Sequence, residues 1–176
     1  GLTISGGEPL QQSDFVLQLL KAAKENRIHT CLETCGFGAA KGLLCLAALT
    51  DMILFDWKET NPVLHKQWTG VSNTRIKRNL ATLNHQEVPV ILRCPLIPGL
   101  NLREDHLDGI AKTAASLHHC TEIHLMTFHN YGLSKYAALG KPVRKAISDT
   151  RLANTNEMAQ AKEYVSSLWP GKIEIY

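Results

Sequence analysis

The chain of 176 residues has 44% hydrophobic and 20% charged side chains, a balance typical of one globular domain. No apolar run is long enough to cross a bilayer, and no targeting segment is present, so we expect no membrane partner and a cytoplasmic location. The net charge of +3 is spread along the chain, and its densest basic stretch, Arg75, Lys77 and Arg78, lacks the interleaved aromatics of a nucleic-acid interface. We therefore interpret that stretch as a solvated helix face.

The hydrophobic pattern predicts strands that alternate with helices. In chain order the predicted elements are strand 2–4, a helix capped by Ser13 or Asp14, strand 29–32, helix 41–49, strand 52–55, helix 72–85, strand 88–92, helix 102–117, strand 122–126, loop 130–154, helix 155–168 and strand 172–176. Pro95 and the Pro98-Gly99 pair are expected to end the fourth strand. This alternation predicts an α/β fold with a parallel sheet and helices outside, in a single domain over residues 1–176.

Polar side chains follow each of the first five predicted strands. The strands are followed by Ser5-Gly6-Gly7-Glu8, Glu33-Thr34-Cys35, Asp56-Trp57-Lys58, Arg93-Cys94 and Thr127-Phe128-His129. Ligands of parallel α/β sheets bind at the carboxyl ends of the strands, so these groups are predicted to meet in one site.

Each of these residues also has a structural interpretation. Gly6-Gly7 could be only a tight turn, although glycines let a ligand approach the backbone closely. Asp56 and Lys58 could form a surface ion pair, and Arg93 could form an ion pair at the rim with Glu33 or Asp56. His129 could be a histidine satisfied within a turn. The agreement of five strand ends favours a shared site.

The five cysteines, Cys31, Cys35, Cys45, Cys94 and Cys120, are odd in number and irregularly spaced, which predicts free thiols in a reducing compartment. A CxxxCxxC iron–sulfur motif beginning at Cys31 would need a cysteine at position 38, where the sequence has Gly38. We therefore predict no metal ligands in this chain and place Cys31 on the core or helix side of its strand.

Several stretches resemble one enzyme family. They are TISGGEPL, IHTCLETCGF, FDWKETNPVLHKQWTGVSN, ILRCPLIPGLN and HLMTFHNYGLSKYAALG. In this order they resemble the radical S-adenosylmethionine enzymes that activate glycyl-radical enzymes, of which the pyruvate formate-lyase activating enzyme is the type. The DxK segment followed by H-x3-TGVSN, and the HxxGxxKY segment, carry most of the specificity.

The resemblance implies a partial (β/α)6 barrel that holds S-adenosylmethionine and a [4Fe-4S] cluster. It also implies two protein partners, a glycyl-radical enzyme as substrate and a flavodoxin or ferredoxin as electron donor. The family's CxxxCxxC cluster loop has no counterpart here, and the chain begins at what would be the family's second strand. We therefore expect a piece of a larger protein that lacks the first βα unit, with the cluster ligands upstream and no activity of the fragment alone.

The resemblance also assigns roles to individual residues. The methionyl amino group would bind to Gly6, Gly7 and Glu8, and the ribose and carboxylate to Asp56 and Lys58, with Arg93 and His129 completing the polar shell. Ile97 would flank the adenine. Glu33 and Thr34 align with a polar pair near the methionyl end, although Glu33 and Trp57 depart from the usual residues. No catalytic side chain is implied.

Two other functions fit the same residues. The chain could be a cluster-free module that binds a nucleoside or a partner protein, or part of a different radical enzyme that acts on a small molecule. An upstream CxxxCxxC motif would favour the enzyme over the cluster-free module. A neighbouring gene for a glycyl-radical protein would favour an activating enzyme over a radical enzyme that acts on a small molecule.

Overall fold

The computed structural model describes residues 1–128, 138, 140 and 150–176, and its centre is a parallel sheet of six strands. The strands lie in sequence order, and each is parallel to the next: β1 (Leu2–Ile4), β2 (Thr30–Thr34), β3 (Met52–Asp56), β4 (Val90–Leu96), β5 (Cys120–Thr127) and β6 (Lys172–Ile175). Sequential parallel strands joined by helical crossovers are the winding pattern of a β/α barrel. The predicted α/β class and parallel sheet are confirmed.

Six helices connect or follow these strands within the described residues. They are α1 (Ser13–Glu25), α2 (Ala40–Ala47), α3 (Pro62–Thr69), α4 (Thr74–Thr82), α5 (Glu104–Ala115) and α6 (Thr155–Leu168). Two short 3-10 turns, Pro9–Gln12 and Leu83–His85, complete the connections. None of the helices described is both long and apolar enough to span a membrane.

Alternate residues of each strand lie on opposite faces of the sheet, and the two faces differ in character. On β2 and β3, one face presents Leu32, Ile53 and Phe55, which are fully buried in the hydrophobic core. The other face presents half-buried residues that include Glu33 and Asp56. Because one sheet face packs against the helices, the opposite face is left to carry the polar groups.

Cys31 shares the half-buried face with Glu33. The expectation that it points toward the core or the helices was therefore wrong. An alternation of two along the strand places residues 31 and 33 on one face and the buried Leu32 on the other.

Helix α3 was not predicted, although its sequence carries end signals. The Asn61 side chain accepts hydrogen bonds from the N–H groups of Val63 and Leu64, Pro62 fills the first helical position, and Gly70 ends the helix with φ +90°. Asparagine, proline and glycine at these positions are common at helix ends. The helix has one buried residue, His65, so its hydrophobic pattern was too weak to reveal it.

Strand β4 continues through Pro95 to Leu96, so the prediction that Pro95 ends it was wrong. The backbone N–H and C=O groups of Arg93 point toward β3, because its carbonyl accepts the Trp57 N–H. The backbone nitrogen of Pro95, two residues later, points toward the same side. β3 ends at Asp56, the residue that lies opposite Arg93 in the strand register, so no backbone acceptor of β3 lies opposite Pro95. A missing N–H is tolerated where a strand has lost its neighbour.

Candidate functional site

The carboxyl ends of the first three strands surround a small polar cavity of about 270 Å³. It is lined by Gly6, Gly7, Glu8, Glu33, Thr34, Cys35, Asp56 and Lys58. Seven of the ten residues predicted for the site therefore lie together here. A Cβ added to Gly6 or Gly7 would have no atom within 4 Å, so the backbone of both residues is open to a ligand.

Glu8 is held rigidly by its own chain. Its Oε1 accepts the Thr34 hydroxyl at 2.5 Å and the Leu10 N–H at 3.1 Å, and its Oε2 accepts the Cys35 N–H at 2.8 Å. Thr34 is fixed in turn because its Oγ1 accepts the Gly36 N–H. An ionised carboxylate has about four acceptor positions, so Glu8 retains one on Oε2 for a donor in the cavity.

The remaining charged residues of the cavity form ion pairs. Arg93 Nη1 lies 2.6 Å from Glu33 Oε1, and Lys58 Nζ lies 3.4 Å from Asp56 Oδ2. Arg93 also donates from Nε to Met126 Sδ at 3.3 Å. The ion pairs considered from the sequence do exist, and they place Arg93 directly behind the cavity-lining Glu33.

Burial and charge compete at Asp56. Burial raises the pKa of its carboxyl group, while Lys58 and Arg93 oppose the rise. Counting Glu8, Glu33 and Asp56 against Lys58 and Arg93 gives three negative and two positive groups. With all five ionised, the cavity lining together with Arg93, which pairs with Glu33 outside the lining, has one excess negative charge and is suited to a cation.

A second cavity of about 300 Å³ adjoins the first and is mostly apolar. Its walls are Lys58, Glu59, Gln67, Trp68, Thr69, Pro95, Ile97, Leu100, Asn101, Phe128 and Thr150. Lys58 lines both cavities, and Ile97, predicted for the site, lies in this one. The two cavities share Lys58, and together they are called here the elongated site, with a charged part and an apolar part.

Three buried asparagines tie down the loops around this site. The Asn101 amide donates to the carbonyls of Lys58 and Pro95, both at 2.8 Å, and its Oδ1 accepts the Ile97 N–H at 2.6 Å. The amides of Asn73 and Asn79 each donate to two loop carbonyls in the same way. Sequence reasoning missed all three, because an asparagine in a loop or helix gives no signal of which carbonyls it will reach.

Glu59, beside Lys58, is almost completely buried and strongly hydrogen-bonded. It accepts the Asn61 N–H at 2.8 Å and lies 3.1 Å from Arg103 Nη1 and 3.4 Å from His106 Nδ1. Burial acts to raise its pKa, but the contacts with His106 and Arg103 outweigh burial and lower the pKa to about 2. Glu59 therefore fixes the loop after β3 as an anion at neutral pH.

Two thiols near the site, those of Cys31 and Cys35, are fewer than the ligands that a [4Fe-4S] cluster takes. Burial and the neighbouring Glu8 raise the pKa of Cys35 to about 11, and burial also raises the pKa of Cys31. Within residues 1–128 and 150–176, no three His, Cys, Asp or Glu side chains are grouped as metal ligands. The tenth predicted residue, His129, lies outside the described residues.

Comparison with known proteins identifies the family. A family profile described as the Radical SAM superfamily matches residues 1–110. The chain belongs to this superfamily. The match includes every predicted site residue except His129.

The curated relatives of this radical SAM chain include several activating enzymes. The isethionate sulfite-lyase activating enzyme of Nitratidesulfovibrio vulgaris is 38% identical over 143 residues, which cover 80% of this chain and 46% of that protein. The pyruvate formate-lyase-activating enzyme of Streptococcus mutans is 34% identical over 174 residues, covering 93% and 66%. The resemblance to activating enzymes is thereby confirmed. The chain spans about half the length of the first relatives it matches.

Solved structures agree on the fold. A domain of the pyruvate-formate lyase-activating enzyme from Bacteroides vulgatus superposes with a TM-score of 0.82 at 22% identity, covering 100% of this chain and 98% of that one. Streptococcus suis SuiB bound to S-adenosylmethionine superposes with a TM-score of 0.68 at 13% identity, covering 98% and 36%. At these identities the likeness establishes the radical SAM fold.

Proposed function

We propose that this chain binds S-adenosylmethionine and forms part of an enzyme that generates a glycyl radical on a partner enzyme. The observation that carries the proposal is the elongated site, in which a polar cavity with one excess negative charge meets an apolar cavity at Lys58. The named activating enzymes among the relatives support the same reaction.

The polar cavity fits the methionyl end of the ligand. At neutral pH S-adenosylmethionine carries an ammonium, a sulfonium and a carboxylate, so its net charge is +1, the opposite of the cavity's. The free acceptor position on Glu8 suits the ammonium, and the exposed Lys58 suits the carboxylate. Gly6 and Gly7 would admit this end of the ligand without a clash.

The apolar cavity fits the adenine end. Ile97, Trp68 and Phe128 supply a branched aliphatic and two aromatic walls for a flat ring. Asp56 lies on the polar side of Lys58, where its carboxylate would accept hydrogen bonds from the ribose hydroxyls. Both ends of the ligand would thus meet groups of matching polarity along one path.

With one electron from a reduced [4Fe-4S] cluster, bound S-adenosylmethionine would undergo cleavage of a C–S bond, release methionine and supply the adenosyl group that takes a hydrogen atom from the partner's glycine. The described residues of this chain bind, orient and shield the ligand. They do not fit the cluster, because Cys31 and Cys35 are the only cysteines near the site among them, and a [4Fe-4S] cluster takes more thiolates than two. The cluster would need other thiolates, and flavodoxin or ferredoxin would be the electron donor.

Calorimetric titration of the chain with S-adenosylmethionine tests the proposal. We expect measurable binding by the wild type and a loss of affinity of about tenfold or more for Lys58→Ala and for Asp56→Ala, since each removes a charge-assisted contact worth about 1.5–3 kcal/mol. Lys112→Ala is the matched control, because Lys112 also pairs with an aspartate, Asp108, but lies on α5 outside both cavities. Absence of binding by the wild type, or unchanged affinity in both site variants, would refute the proposal.

A further inference from the structure

The acidic residues of this chain are distributed very unevenly. Neither stretch 34–50 nor stretch 60–86 contains an aspartate or a glutamate. Together the two stretches carry Lys41, Lys66, Arg75, Lys77 and Arg78. They hold helices α2, α3 and α4, so the charges of these two stretches are purely basic, while the rest of a chain with net charge +3 is net negative.

The structure gathers part of this charge around one aromatic ring. Phe37, Val71, Ser72, Thr74, Arg75 and Arg78 line a surface depression of about 380 Å³, called here the basic groove. The Arg75 guanidinium lies 5.3 Å from the centre of the Phe37 ring, and Arg78 is one helical turn further along α4. Among the described residues, neither arginine has an acidic partner.

The basic groove is a built feature of the fold. The buried amide of Asn79 donates to the carbonyls of Gly36 at 2.8 Å and Gly38 at 3.0 Å, so the loop that carries Phe37 is fastened to α4. The ring in turn positions Arg75 by a cation–π contact. The positions of Phe37 and Arg75 are thus set before any partner binds.

The basic groove also opens beside the candidate site. Cys35 lines the polar cavity and Phe37 lines the groove, and two residues of chain span about 7 Å at most. A protein whose backbone approaches the site from this side would come near Arg75 and Arg78. Those two guanidinium groups present planar donor forks, which match carboxylates better than ammonium groups do.

From this placement we infer that the basic groove is a docking surface for an acidic segment of the partner protein whose glycine is presented to the site. The inference rests on the proposed function for the identity of that partner, and on charge complementarity for the chemistry of the segment. Such complementarity accelerates association and fixes the orientation of a complex. A single aromatic ring in the groove favours an acidic peptide over a nucleic acid, whose bases need several stacking platforms.

Fluorescence anisotropy with a labelled twelve-residue peptide that contains four consecutive glutamates tests the inference. We expect the wild-type chain to bind this peptide more tightly than a matched peptide with four glutamines, and to lose affinity as salt rises. Arg78→Glu should weaken binding by about tenfold or more, as expected for the loss of a charge-assisted contact. Lys162→Glu makes the same charge change at a half-buried position on α6, outside the groove, and should change affinity by less than about twofold.

Three results would overturn the inference. They are equal binding of both peptides, equal losses in Arg78→Glu and Lys162→Glu, and tighter groove-dependent binding of a twelve-nucleotide oligothymidylate, which would point to a nucleic acid. S-adenosylmethionine affinity, measured on the same variants, should be unchanged. If Arg78→Glu alters the S-adenosylmethionine affinity, the peptide titration of Arg75→Gln decides whether the groove itself binds the peptide. Failure of the wild type to bind S-adenosylmethionine would refute the proposed function, whereas the peptide results test the groove itself.

Discussion

Replacing Asn101 with alanine should damage stability and ligand binding together. Its side chain is 4% exposed and joins the loop after β3 to the loop after β4 through three hydrogen bonds, to Lys58, Pro95 and Ile97. All three partners line the apolar cavity, and Lys58 lines the polar one as well. Asn101 is therefore a positioning residue for both ends of the site.

The magnitude follows from the number of bonds lost. A hydrogen bond of this kind contributes about 1 kcal/mol net, and a buried group left without a partner costs about 1–3 kcal/mol. Water can reach some of the freed groups beside the cavity, so we expect Asn101→Ala to lower the free energy of unfolding by about 3 kcal/mol, out of a total of about 5–15 kcal/mol for a domain. The loosened walls should weaken S-adenosylmethionine binding by about tenfold.

Urea denaturation and calorimetric titration measure the two effects separately. Asn84→Ala is the control, because Asn84 also joins two segments, donating to the Ser116 carbonyl at 2.8 Å and accepting the His118 N–H at 2.9 Å, but neither partner lines a cavity of the site. It should lower stability by about 1 kcal/mol and leave the affinity unchanged. Equal affinity losses in both variants, or none in Asn101→Ala, would refute the positioning role.

Three further outcomes are expected. The pKa of Glu59 is about 2, below its ordinary value of 4.5. Its contribution to stability is therefore complete above pH 4.5 and is lost as the pH falls toward 2. The urea midpoints at pH 7 and pH 3 should therefore differ less in Glu59→Gln than in the wild type. Gly36→Ala should lower the free energy of unfolding, measured by urea denaturation, by about 3 kcal/mol, because φ is +70° and the new Cβ would lie 2.5 Å from Phe55 Cζ. Gly70→Ala is the control: its φ is +90° but the space around it is open, so it should lower the free energy of unfolding by about 1 kcal/mol. Cys45, the exposed thiol of the five, should react first with a disulfide reagent at pH 8, and Cys45→Ser should remove that fast phase, as thiol absorbance assays would show.

Most of the fold could be predicted because hydrophobic period and length determine its elements. The strands at 52–55 and 122–126 were predicted within one or two residues of β3 and β5, since short apolar runs bounded by polar residues leave little choice. Helix α3 escaped because it buries little, so its end signals were the only evidence for it. The prediction that Pro95 ends β4 was wrong because the effect of a proline depends on whether a neighbouring strand still lies opposite it. The sequence does not contain that information.

The site, too, could be predicted only in part from the sequence. The rule that parallel strands deliver their ends to one edge was sufficient to collect Gly7, Glu8, Glu33 and Asp56. It could not decide whether Glu33 or Asp56 would pair with Arg93, because the pairing of charges depends on register and side-chain reach. Loop-fixing contacts depend still more on three-dimensional distance, and so they were found only in the structure.

The pairing of charges in the site has a consequence for ligand binding. A bound carboxylate that engages Lys58 must compete with Asp56, which already lies 3.4 Å from the lysine. That distance exceeds the 2.7–2.9 Å of a strong charge-assisted hydrogen bond, so the pair is loose, and burial raises the pKa of Asp56. The Glu33–Arg93 pair is tight at 2.6 Å. Lys58 is therefore the cation of the site that a ligand can recruit most easily, while Arg93 serves to hold Glu33 in place.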